Sequence, residues 1–175
     1  MKILLLTLVL GLVCAAQEPQ SETNFSLVSG EWKTIYATSS NIEKISENGP
    51  FRAFVRRLDF DSEGDTIAFT FFVKVNGQCT IIHSVATKIE GNVYISDYAG
   101  INGFKILDLS ENAMIGYILN VDEEGLVTKI IALLGKGNDI NEEDIEKFKE
   151  LTRQRGIPEE NIVNIINIDD CPTSD

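Results

Sequence analysis

TIAFTFFVKVNGQCTIIHSVATK, residues 66–88, is the stretch on which the fold turns. Ile67, Phe69, Phe71 and Val73 alternate with the intervening residues, so one face of an extended strand is rich in large hydrophobes. Asn76-Gly77 is the dipeptide that a two-residue hairpin turn favours, because both central residues take positive φ. Pairing across that turn sets Phe71 opposite Ile82 and Phe69 opposite Ser84. His83 then points away from the phenylalanines, toward solvent or a covering helix.

The same pattern continues on both sides of this hairpin. Short β-branched and aromatic runs cover Gly30 to Ala37, Phe51 to Phe60, Thr66 to Val75, Gln78 to Lys88, Asn92 to Ala99, Gly103 to Leu109, Ala113 to Val121 and Leu126 to Leu134. Turn residues separate them, among them Glu90-Gly91, Ser110-Glu111-Asn112 and Asp122-Glu123-Glu124-Gly125. Short connections imply antiparallel neighbours. The fold class is therefore all-β: eight antiparallel strands closing into an up-and-down barrel, which removes both sheet edges and has room for one small ligand. After the strands the period changes to that of a helix. Asn141 can cap it, Glu142, Glu143 and Asp144 suit the positive end of its dipole, and Ile145, Phe148 and Leu151 form an apolar stripe. Gly156 and Pro158 end it. This single C-terminal α-helix packs outside the barrel, and the run Ile162 to Ile168 leads back to Cys171.

At the N-terminus, Lys2, the apolar run Ile3 to Val13 and the small residues Cys14, Ala15 and Ala16 read as a signal peptide, residues 1–16. The remainder, residues 17–175, is one domain of roughly 160 residues, large enough for a real core. Three cysteines become two after cleavage, so Cys79 and Cys171 are expected to form one disulfide in a secreted, extracellular chain. Asn24-Phe25-Ser26 is a glycosylation sequon whose occupancy sequence does not reveal. The formal net charge of −12 disfavours nucleic acid and anionic membranes as partners.

Chemistry is poorly supplied. There is one histidine and no free mature cysteine once the disulfide forms, so a nucleophile with a base in reach is not expected. The acidic groups at residues 142–144 and 122–124 lie at a helix start and a turn, where solvated faces are the ordinary reading. Gly135-Lys136-Gly137 lacks the spacing of a phosphate loop. No catalytic residue, metal or cofactor is expected, and the protein is read as a non-enzyme. What remains is an apolar interior, in which Gly116 and Ala132 opposite phenylalanines leave room.

Gly30-Glu31-Trp32 and Asn92 to Gly100 resemble the first two motifs of the lipocalins. Together with Glu43-Lys44-Ile45, Leu133 to Gly137, Glu146-Lys147-Phe148 and Gly156 to Ile162, they make the chain similar to mammalian odorant-binding proteins. The resemblance spans Gly30 to Cys171 and implies a disulfide between Cys79 and Cys171. It also implies a tryptophan closing the barrel floor under a cation, here Lys136 where many lipocalins carry arginine. Carried over position by position, it places the ligand lining on Phe51, Ala53, Phe69, Phe71, Ile82, Tyr98 and Asn102. The lining continues through Phe104, Met114, Gly116, Ile118, Ile130, Ala132 and Leu134. Tyr98 and Asn102 would be the lining groups that hydrogen-bond a ligand. The function implied is a secreted carrier of small hydrophobic odorants, of broad specificity and roughly micromolar affinity; the alternative is a pheromone carrier with a dedicated ligand. A monomer without membrane insertion is expected.

Overall fold

Trp32 interrupts the first strand run, and that interruption closes the barrel. In the computed structural model, which describes residues 24–137 and 140–173, the run becomes β1 (Gly30–Glu31) and β2 (Lys33–Ser39). The chain continues through β3 (Phe54–Phe60), β4 (Thr66–Val75), β5 (Gln78–Lys88), β6 (Val93–Asp97), β7 (Ile101–Leu109), β8 (Ala113–Val121) and β9 (Val127–Gly135). Each of β3 to β8 pairs antiparallel with the next, β1 pairs with β3, and β2 pairs with β9. Because β1 and β2 are one run, the sheet meets itself. Trp32 N–H donates to the Arg56 carbonyl at 3.1 Å across the joint. Where backbone pairing between β2 and β3 lapses, Thr34 substitutes for it: its hydroxyl donates to the Ala53 carbonyl at 2.7 Å and accepts from Val55 N–H at 3.1 Å.

The central hairpin has the expected register, with Phe71 opposite Ile82 and Phe69 opposite Ser84, and His83 is exposed on the outer face. Strict alternation fails in three places. Bulges at Ile35, Arg56 and Leu107 shift the register, so that Val55 and Leu58, three residues apart, both enter the inner core. An extra residue of this kind bends a strand and adds twist, which a closed barrel needs.

Two short segments were not legible as structure. Phe25–Val28 forms one helical turn, α1, and Val163–Asn164 forms β10, which pairs with β2. The helix α2 (Glu142–Gln154) starts where expected: Asn141 Oδ1 accepts from Asp144 N–H at 2.9 Å. Gly156, at φ +70°, ends it in a conformation other residues resist. Its Phe148, with Ile157, packs on the outward Ile35, Ile115, Ile131 and Leu133.

Two attachments of the tail are buried or covalent. Cys79 and Cys171 are bonded, with Cα atoms 5.7 Å apart and 92 residues between them in sequence; closing so long a loop stabilises by about 4 kcal/mol in the chain-entropy model. The buried Arg56 guanidinium forms a two-pronged pair with Asp169, both contacts 2.7 Å, and also donates to the carbonyls of Pro172 and Cys171. The proposed leader, residues 1–16, lies outside the described residues. Among the described residues no helix is long and apolar enough to cross a membrane.

Candidate ligand cavity

Inside the barrel the inward faces do not meet everywhere. They leave a cavity of about 110 Å³. Thirteen of the fourteen residues expected to line a ligand site surround it: Phe51, Ala53, Phe69, Phe71, Tyr98, Asn102, Phe104, Met114, Gly116, Ile118, Ile130, Ala132 and Leu134. Ile82 is not among the lining residues; it packs against the inner core beside them. Thr34, Ala37, Val55, Ser84 and Ser96 complete the wall. Ala37 was hidden by the bulge at Ile35, which shifts the phase of alternation on β2. The signal for Ser84 was available, because it lies opposite Phe69 on the inward face.

Two expectations need correction. The missing side chain of Gly116 does not leave ligand volume: a Cβ built there would lie 2.6 Å from the Phe104 ring, so Phe104 occupies that space. Room comes instead from Ala132 and Ala53, small groups that remain partly open to the cavity. The Tyr98 and Asn102 polar groups are already engaged. Tyr98 O–H donates to the Pro50 carbonyl at 2.6 Å, and Asn102 Nδ2 donates to the Tyr98 carbonyl at 2.9 Å. Asn102 Oδ1 accepts from Asn120 Nδ2 at 2.8 Å. Burial pushes the Tyr98 phenol up to about 12, so it stays a neutral donor to Pro50 at every physiological pH.

One end of the cavity is a floor. Trp32 is 1% exposed, its indole N–H donates to the Val28 carbonyl at 2.7 Å, and the Lys136 ammonium stands 5.3 Å from its ring. Lys136 also donates to the Leu27 carbonyl at 2.6 Å, so α1 and the exit of β9 are tied together over the indole. The cation–π role expected of Lys136 is therefore present. Asn24, of the sequon, caps α1 by accepting from Ser26 N–H at 3.1 Å and from the Ser26 hydroxyl at 2.6 Å.

The other end is a mouth, covered by residues 40–53. The turn Ile42–Ile45 inserts Ile45, fully buried, against Phe51 and Ile130. The ends of the cover are held by Ser40 bonding Lys129 and by Thr34 donating to the Ala53 carbonyl, and three polar contacts hold the stretch 42–50 between them. Tyr98 binds Pro50, Asn48 Oδ1 accepts from Gly77 N–H at 2.9 Å, and Lys44 pairs with Asp122 at 3.0 Å. The hydrogen bond from Lys44 holds the Asp122 carboxyl below its ordinary 3.8. Just beneath, Asn102, Asn120 and Thr128 lie opposite one another on β7, β8 and β9 as a buried polar row.

A barrel with a sealed indole floor, a latched loop over its mouth and an apolar hollow between them has the architecture of a small-ligand carrier. Residues 29–169 match the model of the lipocalin / cytosolic fatty-acid binding protein family, and the chain belongs to that family. It is similar to an odorant-binding protein of Bos taurus, 44% identical over 157 residues that cover 90% of this chain and 98% of the relative. The crystal structure of a dog lipocalin allergen superposes with a TM-score of 0.81 at 46% identity, covering 84% of this chain and 99% of that one. A complex of bovine odorant-binding protein with undecanal superposes at 0.64, with 42% identity over 89% of this chain and 99% of that one. The family is named for fatty-acid binding and the Bos taurus relative for odorant binding.

Proposed function

We propose that this protein is a secreted carrier that holds one small apolar molecule in its barrel, accepting many chemical types, and that it acts as a monomer. The observation that carries the carrier reading is the hollow of about 110 Å³, walled mainly by aromatic and aliphatic side chains. Such a space, poorly hydrated and apolar, gains dispersion contacts when a ligand enters. The relative solved with undecanal, a linear aldehyde, and the disulfide, at home in an oxidising compartment, support it.

Size sets the affinity. An apolar cavity of about 150 Å³ takes benzene, so the hollow of about 110 Å³ suits about four or five heavy atoms as it stands, and a larger ligand needs Phe69 and Phe104 to yield. At roughly 0.8 kcal/mol per atom, a seven-atom ligand binds near 0.1 mM and a ten-atom ligand near micromolar. The surface charge of −12 favours neutral or cationic ligands over anions. Uptake of cyclohexanone, read by calorimetry, with displacement by unrelated small esters, hydrocarbons and ketones, is the expected result. No uptake would overturn the carrier reading, and displacement by one chemical class alone would replace it with a dedicated-ligand carrier.

A further inference from the structure

We infer that Ser84 and Ser96 form the polar anchor of the cavity, selecting small apolar molecules that carry a carbonyl or hydroxyl group. This deepens the carrier reading and rests on it. Both side chains line the hollow and both are half-buried. Ser84 stands on β5 opposite Phe69, and Ser96 on β6 opposite Asn102. The ladder between β5 and β6 consists of Thr87 with Ile95 and Lys88 with Tyr94. Beyond those pairs the strands separate, and the two serines flank the seam.

The other polar side chains of the wall are committed. The single proton of Tyr98 goes to Pro50, that of Thr34 goes to Ala53, and Asn102 is held between Tyr98 and Asn120. Ser84 and Ser96 have no hydrogen-bond partner among the described residues. A hydroxyl left unpaired in an apolar wall is disfavoured, and a ligand that brings a polar atom to it removes that cost. Each hydroxyl can donate to a ketone, aldehyde or ester oxygen, and can accept from an alcohol. The ligand's polar atom therefore faces β5 and β6, and its apolar body lies toward Ile118 and Ala132 on β8 and β9.

The test compares cyclohexanone with methylenecyclohexane, which has the same skeleton with C=CH2 in place of C=O, by calorimetric titration. Wild type, Ser84→Ala, Ser96→Ala and the double variant each lose at most two oxygen atoms, so the fold is retained. The ratio of the two affinities should shift against the ketone by about tenfold in the double variant, the size of one net hydrogen bond, while the hydrocarbon binds as before. A ratio unchanged within twofold, or equal weakening of both ligands, would overturn the anchor. So would a ratio that collapses in Tyr98→Phe and survives in the double variant. Failure of both ligands to bind wild type would instead remove the carrier reading on which the anchor rests.

Discussion

The two ends of the barrel are closed by different physics. At the floor, Trp32 is enclosed by apolar neighbours, hydrogen-bonded through its indole N–H, and capped by Lys136. At the mouth, the stretch 42–50 lies over the cavity by virtue of Ile45 and three polar contacts, one of which, between Asn48 and Gly77, is exposed. Buried apolar area resists opening in proportion to its size, whereas partly solvated polar contacts exchange with water at small net cost. The difference assigns ligand traffic to the mouth and stability to the floor.

Breaking the floor should have the largest effect. Trp32→Ala removes a fully enclosed indole and is expected to cost about 3 to 5 kcal/mol, read by denaturant unfolding. A loss under about 1 kcal/mol would show that the floor is no more structural than the mouth.

A smaller effect is expected at Tyr98. Tyr98→Phe keeps the ring against Phe51 and Phe71 and deletes the bond to Pro50, which should cost about 1 kcal/mol and speed ligand release several-fold. Its pH dependence carries a definite sign. The folded phenol titrates near 12, above the ordinary 10, so its contribution is complete below pH 10 and is lost as pH rises through 12. Burial also raises Tyr94, so absorbance titration at 295 nm should show one fewer late-ionising tyrosine in the variant than in wild type.

The smallest effect is expected at the ion pair. Asp122→Asn should leave the melting temperature nearly unchanged and modestly raise the ligand release rate measured by stopped flow. Because the carboxyl sits below 3.8, the latch is intact at neutral pH and is lost only as pH falls through that lowered value. Release that accelerates already at pH 6 would place its control elsewhere.

How much of this was legible follows from what each feature depends on. The hairpin of residues 66–88 declared itself through alternation and Asn76-Gly77, both local signals, and its register was readable to the residue. The helix start at Asn141 was equally local. The break at Trp32, the bulge at Arg56 and the strand Val163–Asn164 are answers to barrel closure, which no local window contains. The same limit applied to the cavity. Alternation names which residues face inward, and thirteen expected residues do line one hollow. It does not say how rings share the space, so Gly116 read as room that Phe104 in fact fills. Nor does it reveal which polar groups are spent on neighbours, and Tyr98 and Asn102 are spent. The Arg56 and Asp169 pair joins residues 113 apart in sequence and left no local trace.

The central claim is that the interior beside Ala132 is ligand space rather than core. Ala132→Phe places a phenyl ring there, about the amount of matter a small aromatic ligand would bring. Thermal melting and titration with cyclohexanone on the same preparation give the measurement. Overpacking of a filled core costs about 1 to 3 kcal/mol and occasionally more. The account predicts a variant that melts within a few degrees of wild type and no longer binds the ketone. A variant that melts far below wild type, beside a wild type that takes up no ligand, would contradict it.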